Sequence, residues 1–230
     1  MTRKMLKESA RVKLQGKWSV GVLATLILSI LAGAVGAFSG MGNSFVMIAG
    51  QANSDAMLTG GIVMFLLGWA AYLLIIPALN LGIFRIFLKI ARGEEAELKE
   101  LFWGFRYFLK ALGLTVMISI FVFLWSLLLL VPGIIAAYRY SQAYFILADN
   151  PEIGIMDAIR QSKQMMVGHK MEYFVLELSF LGWMLLCMFC FIGILWLSPY
   201  MYVTYGNFYL NLKGEGAEPE TAQVYTGPEL

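Results

Sequence analysis

The sequence contains one histidine, His169, and two cysteines, Cys187 and Cys190. A single histidine excludes a histidine-rich metal site and most zinc-protease patterns. Both cysteines lie in an apolar run, so no disulfide framework is implied. They match C-x-x-C, but flanking Trp, Met, Leu and Phe leave the thiols neutral and inert. Charge is also scarce: 14% of residues are charged, against about 25% in a soluble domain. The net charge of +2 is too small to point to nucleic acid. No serine, cysteine or carboxylate is visibly paired with His169. The chain therefore reads as a non-enzyme, without a catalytic, cofactor-binding or metal-binding constellation.

What the chain has in abundance is apolar surface. Hydrophobic residues make up 60% of it, against about 45–50% in an ordinary domain. In water such a surface would aggregate; in a bilayer, lipid solvates it. A hydrocarbon core of roughly 30 Å takes about 20 helical residues. Runs of that kind cover residues 18–38, 62–87, 107–130, 173–192 and 194–210. A shorter, more polar one covers 134–148, with Tyr138, Arg139, Tyr140, Ser141, Gln142 and Tyr144. The expected fold is an all-α polytopic transmembrane helix bundle of about six spans. Short amphipathic interfacial helices are expected beside it.

Three regions follow: a basic amphipathic N-terminal segment (1–17), a transmembrane domain (18–212) and a disordered acidic cytoplasmic tail (213–230). The N-terminal segment continues into its apolar run past Ala32-Gly33-Ala34, which favours a first span over a cleaved signal peptide. Lys4, Lys7 and Arg11 share one helical face and are expected to meet anionic lipid headgroups. Residues 39–61, rich in Gly, Asn and Ser, read as an outer loop, and Pro132-Gly133 as the turn between spans 3 and 4. Asp149-Asn150-Pro151-Glu152 reads as a helix start. The small residues Gly21, Thr25, Ser29 and Gly33, with a second row at Ala32, Gly36 and Gly40, mark helix-packing faces. Trp18 and Trp103 fall at inner membrane edges, and Trp125 and Trp196 toward outer ones.

Basic residues mark cytoplasmic connections. The N-terminal arm, the stretch from Lys89 to Lys110, and the segment with Arg160, Lys163 and Lys170 are basic. Residues 39–61, the Pro132 turn and the Gly193 turn have no Lys or Arg. The alternation fits six spans with both termini cytoplasmic in a plasma membrane.

From about Leu6 to Leu212 the chain resembles the bacterial integral membrane proteins grouped as domain of unknown function family 975. The resemblance rests on LKESARVKLQGKW, LGIFRIFLKIARGEE, ELFWGFRYFLKALG and FLWSLLLLVPGIIAAYRYSQAYFILADNPEIG. It continues through DAIRQSKQMMVGHK, LSFLGWMLL and LSPYMYVTYGNFY. The resemblance implies a bacterial plasma-membrane protein of several spans and no agreed activity.

The candidate intramembrane polar site comprises Asn80, Arg139, Gln142, Glu177 and Asn207. Ionisable residues in a span are costly and often mark pathways. Arg139 and Glu177 either pair inside the bundle or each snorkel to its own interface. The other polar residues form either a pocket or ordinary interhelical hydrogen bonds. The leading functional reading is a membrane adaptor or a component of an envelope process, with the lipid bilayer and a membrane protein as partners. The alternative is a small transporter or lipid carrier using a polar pocket around spans 4–6.

Overall fold

The computed structural model describes residues 1–52, 54–189 and 193–215, and these form helices and short connections without a strand. In chain order they are α1 (Arg3–Leu14), α2 (Trp18–Ala52), α3 (Asp55–Arg92) and a 3-10 helix (Leu98–Tyr107). Next come α4 (Phe108–Leu128), α5 (Leu130–Tyr140), α6 (Ala143–Asp149), α7 (Ile155–Met165), α8 (Lys170–Phe189) and α9 (Gly193–Lys213). Among the described residues three stretches are long and apolar enough to cross a membrane: Trp18–Ala52, Asp55–Arg92 and Leu98–Leu128.

The core gathers at one end of the molecule, here called the base. It contains the last turns of α3, all of α6, the second half of α9 and the apolar face of α1. Leu6, Ala10 and Leu14 recur every four residues, so α1 turns one stripe inward, and all three are buried. The 3-10 helix crosses α3 at two glycines. A Cβ on Gly82 would strike the Leu101 carbonyl, and one on Gly104 the Ala78 carbonyl. Only hydrogen at both positions lets the two backbones approach so closely.

Ion pairs close the base. Asp149 receives Arg92 at 2.7 Å and Lys213 at 2.8 Å, while Lys89 meets Glu100 at 2.5 Å. Lys17 donates to the carbonyls of Gly93 and Glu94 at the end of α3. That helix end leaves carbonyls unpaired and carries negative partial charge, so an ammonium suits it.

Several sequence expectations are corrected. Residues 39–61 are not a loop; residues 39–52 continue α2 and residues 55–61 begin α3. Two of their glycines pack rather than turn: a Cβ on Gly42 or Gly61 would meet backbone of the facing helix. The turn before α5 is the single extended residue Leu129, and Pro132 sits in the first turn of α5. Proline is tolerated there, where its missing N–H has no partner to lose. Asp149 ends α6 rather than starting a helix, and α7 begins at Ile155 after a turn in which Asn150 accepts from the Glu152 N–H. Trp196 shares a groove with Trp18 instead of lying at the opposite edge. The reason is that α9 crosses the start of α2, where a Cβ on Gly21 would touch Pro199. Cys187 is a free thiol. Cys190 and tail residues 216–230 lie outside the described residues.

Candidate functional site

The polar fourth run forms two helices, α5 and α6, because the chain breaks at Ser141 and Gln142. A broken helix leaves carbonyls on one side and N–H groups on the other, and these need partners. One hydroxyl from α7 serves both sides. Ser162 Oγ donates to the Arg139 carbonyl at 2.9 Å and accepts from the Gln142 N–H at 3.2 Å. Gln142 is fully buried, and its amide nitrogen donates to Ser141 Oγ. Its amide oxygen has no partner among the described residues.

Beside the break, α5 faces α8 and α9 across two adjoining cavities of about 310 and 320 Å³. Met184, Met201 and Tyr205 line both. The first adds Phe84, Ser141, Tyr173, Tyr202 and Ser198. The second adds Tyr138, Phe174 and Glu177. The Tyr138 hydroxyl donates to Glu177 Oε2 at 2.7 Å. Tyr138 also meets the rings of Tyr173 and Phe174 edge-on, with centroids 6.0 and 5.8 Å away. The walls are thus aromatic rings and aliphatic side chains in about equal number, with a few hydroxyls and one carboxylate, and no basic side chain among the described residues lines either cavity. Such a lining attracts positive charge through the carboxylate and through the negative faces of the rings.

The five polar residues singled out in the sequence have different positions. Glu177 lines the cavity, and its partner is Tyr138 rather than Arg139. Arg139 is half-buried, lines neither cavity and has no ion pair among the described residues. Gln142 lies buried at the break. Asn207 belongs to the base, where its amide donates to the Leu6 carbonyl and accepts from Lys13 Nζ. Asn80 lies half-buried in α3, away from these cavities.

Of the three headgroup candidates, Lys4 is exposed and faces Glu8 at 3.9 Å. Lys7 is held to the protein, over the Phe180 ring at 4.0 Å and against the Ser179 carbonyl. Arg11 is exposed and lines a groove with Trp18.

At the base, burial opposes ionisation of Asp149. The Lys213, Arg92 and Tyr209 donors outweigh it and hold the carboxyl below its ordinary range. Burial alone lowers Lys13, whose ammonium reaches the Ala91 carbonyl and Asn207. Among the described residues no group of His, Cys, Asp and Glu could hold a metal ion.

Sequence reasoning missed Tyr138 as the partner of Glu177 and Ser162 as the bridge across the break. Tyr138 belongs to the polar run, which was a usable signal. Ser162 lies 23 residues from the carbonyl it binds, and no local pattern marks it.

A family model described as Protein of unknown function (DUF975) matches residues 1–135 and 126–216. No curated protein and no solved structure matches the chain.

Proposed function

The chain belongs to that family of unknown function, DUF975, and from there we propose a six-span plasma-membrane protein that works by binding rather than by catalysis. Both termini face the cytoplasm in this reading. The alternation of basic and uncharged connections supports it, as does the gathering of Lys13, Lys17, Lys89, Arg92 and Lys213 at one end of the fold. Helices α8 and α9, of 20 and 21 residues, are each about 30 Å long, enough for the fifth and sixth spans.

The geometry favours the carrier reading. Its cargo is a small organic cation or an amine-bearing amphiphile, with Glu177 as counter-ion. One observation carries this: the Tyr138–Glu177 pair sits in an aromatic cavity beside a helix break. Broken helices whose freed backbone is satisfied by neighbours recur where transporters bind substrates.

The test is binding of radiolabelled tetraphenylphosphonium to the purified full-length protein in detergent. Glu177→Gln should weaken binding at least tenfold, and Lys4→Gln should leave it unchanged. Equal binding by wild type and Glu177→Gln would remove the reading.

The adaptor reading has one observation in its favour: in the outer half of α2 and α3, the buried residues are confined to the seam between those two helices. That leaves two apolar helix faces for lipid or a partner helix. Photo-crosslinkers at Phe38 and Leu66 should then capture a membrane protein at fixed stoichiometry. Labelling of lipid alone counts against an adaptor.

A further inference from the structure

A second concavity lies on the other side of the α8/α9 hairpin, between its tip and the junction of α1 with α2. This groove of about 660 Å³ is the largest of the cavities described here. Trp18, Trp183, Leu186, Trp196 and Leu197 form its apolar walls, and Arg11 is the one charged residue lining it among the described residues. Trp183 and Trp196 are 60% and 52% exposed, so two indoles stand uncovered beside a guanidinium.

We propose that this groove holds one anionic glycerophospholipid, with its phosphate on Arg11 and an acyl chain along the indoles. Charge complementarity selects the occupant. The α1 helix carries Arg3, Lys4, Lys7, Arg11 and Lys13 against the single acid Glu8. Lys7 and Lys13 are bound to protein acceptors, and Lys4 faces Glu8. Arg11 has no hydrogen bond or ion pair among the described residues. A planar guanidinium offers paired donors that match a phosphate. Indoles suit the boundary between headgroup and chain, where an apolar ring and an N–H both find partners. The groove itself does not depend on the Glu177 cavity.

Native mass spectrometry of the full-length protein tests this, using detergent micelles with equimolar palmitoyl-oleoyl phosphatidylglycerol and phosphatidylcholine. The wild type should retain one phosphatidylglycerol with at least tenfold preference. Arg11→Gln should bring that preference near unity, and Trp183→Ala with Trp196→Ala should reduce retention of both lipids. Lys4→Gln, an equal loss of surface charge outside the groove, should keep the wild-type preference. So should Glu177→Gln, which separates this site from the carrier cavity. Thermal unfolding of each variant confirms that it is folded.

Equal retention of the two lipids by wild type would overturn the proposal. So would an unchanged preference in Arg11→Gln, or competition by inorganic phosphate as strong as by the lipid. A protein dimer that Trp196→Ala dissolves would instead assign the groove to a second copy.

Discussion

Between Ile76 and Ala91, α3 buries Leu79, Leu81, Ile83, Ile86 and Phe87 completely. Between residues 55 and 75 the same helix buries Gly61 and Gly68 and nothing larger. The facing stretch of α2 repeats the pattern, with Gly42 and Ala49 as its buried residues beyond Thr25. One hairpin is therefore held together in two ways. At the base, large side chains interdigitate and half-buried carboxylates meet cations, as in a water-soluble protein. In the outer arm two backbones touch through glycine, and the remaining apolar faces are left uncovered by the described residues. The difference predicts that the base tolerates little change in volume or charge, and that the arm tolerates any change off its seam.

The largest effect is expected at the glycine crossing. Gly104→Leu would force the 3-10 helix off the Ala78 carbonyl and cost about 3 kcal/mol. Loss of monodisperse protein on size exclusion is the readout, and a normal yield would show that the crossing can relax.

Asp149→Asn should come next, at about 2–3 kcal/mol at neutral pH. It leaves Arg92 and Lys213 without their shared carboxylate, at a site only partly screened by solvent. The pH dependence has a definite sign. Because the folded carboxyl titrates below its ordinary range, its contribution is present at neutral pH. That contribution is lost as pH falls through the folded value. Melting temperature followed across acid pH should drop there in wild type and stay flatter in the variant.

On the arm, Gly42→Leu should part the seam at the Phe65 backbone at a cost of about 1–2 kcal/mol. It should leave the base transition in place, as read from the melt. A base destabilised as strongly as by Gly104→Leu would mean that arm and base are one cooperative unit.

Gly36→Ala is the smallest change. A Cβ there meets nothing within 4 Å, so the shift should stay within about 0.5 kcal/mol. A larger loss in a membrane, but not in detergent, would point to a partner helix on that face.

How legible the two regions were follows from how they are built. The base face of α1 could be read directly, because apolar spacing at Leu6, Ala10 and Leu14 records one-sided burial. The arm was misread because Gly, Asn and Ser between residues 39 and 61 carry turn chemistry in water. Two of those glycines, Gly42 and Gly61, serve as packing surface between adjoining helices. Pro132 was misread for a related reason: proline ends one helix and fits the first turn of the next equally well. The candidate cavity was half legible. Glu177 and the polar run from Tyr138 to Tyr144 stood out as charge and hydroxyls in apolar surroundings. Which of them meet depends on the break at Ser141 and on a hydroxyl from α7, and neither has a local signature. Asn207 looked like part of a pocket because an asparagine's partner cannot be read from spacing. Its partner is the backbone of α1, 201 residues away.

The length of the α2/α3 hairpin makes it a ruler. With 35 residues, α2 is about 52 Å long, whereas a bilayer's hydrocarbon core is roughly 30 Å thick. Set upright in such a bilayer, the helix would stand about 20 Å clear of the oil. A short epitope inserted after Ser54 would then be readable by antibody from one face of an intact cell. Each residue added to or removed from the arm would raise or lower that flag by about 1.5 Å, giving a graded measure of how deep the base sits.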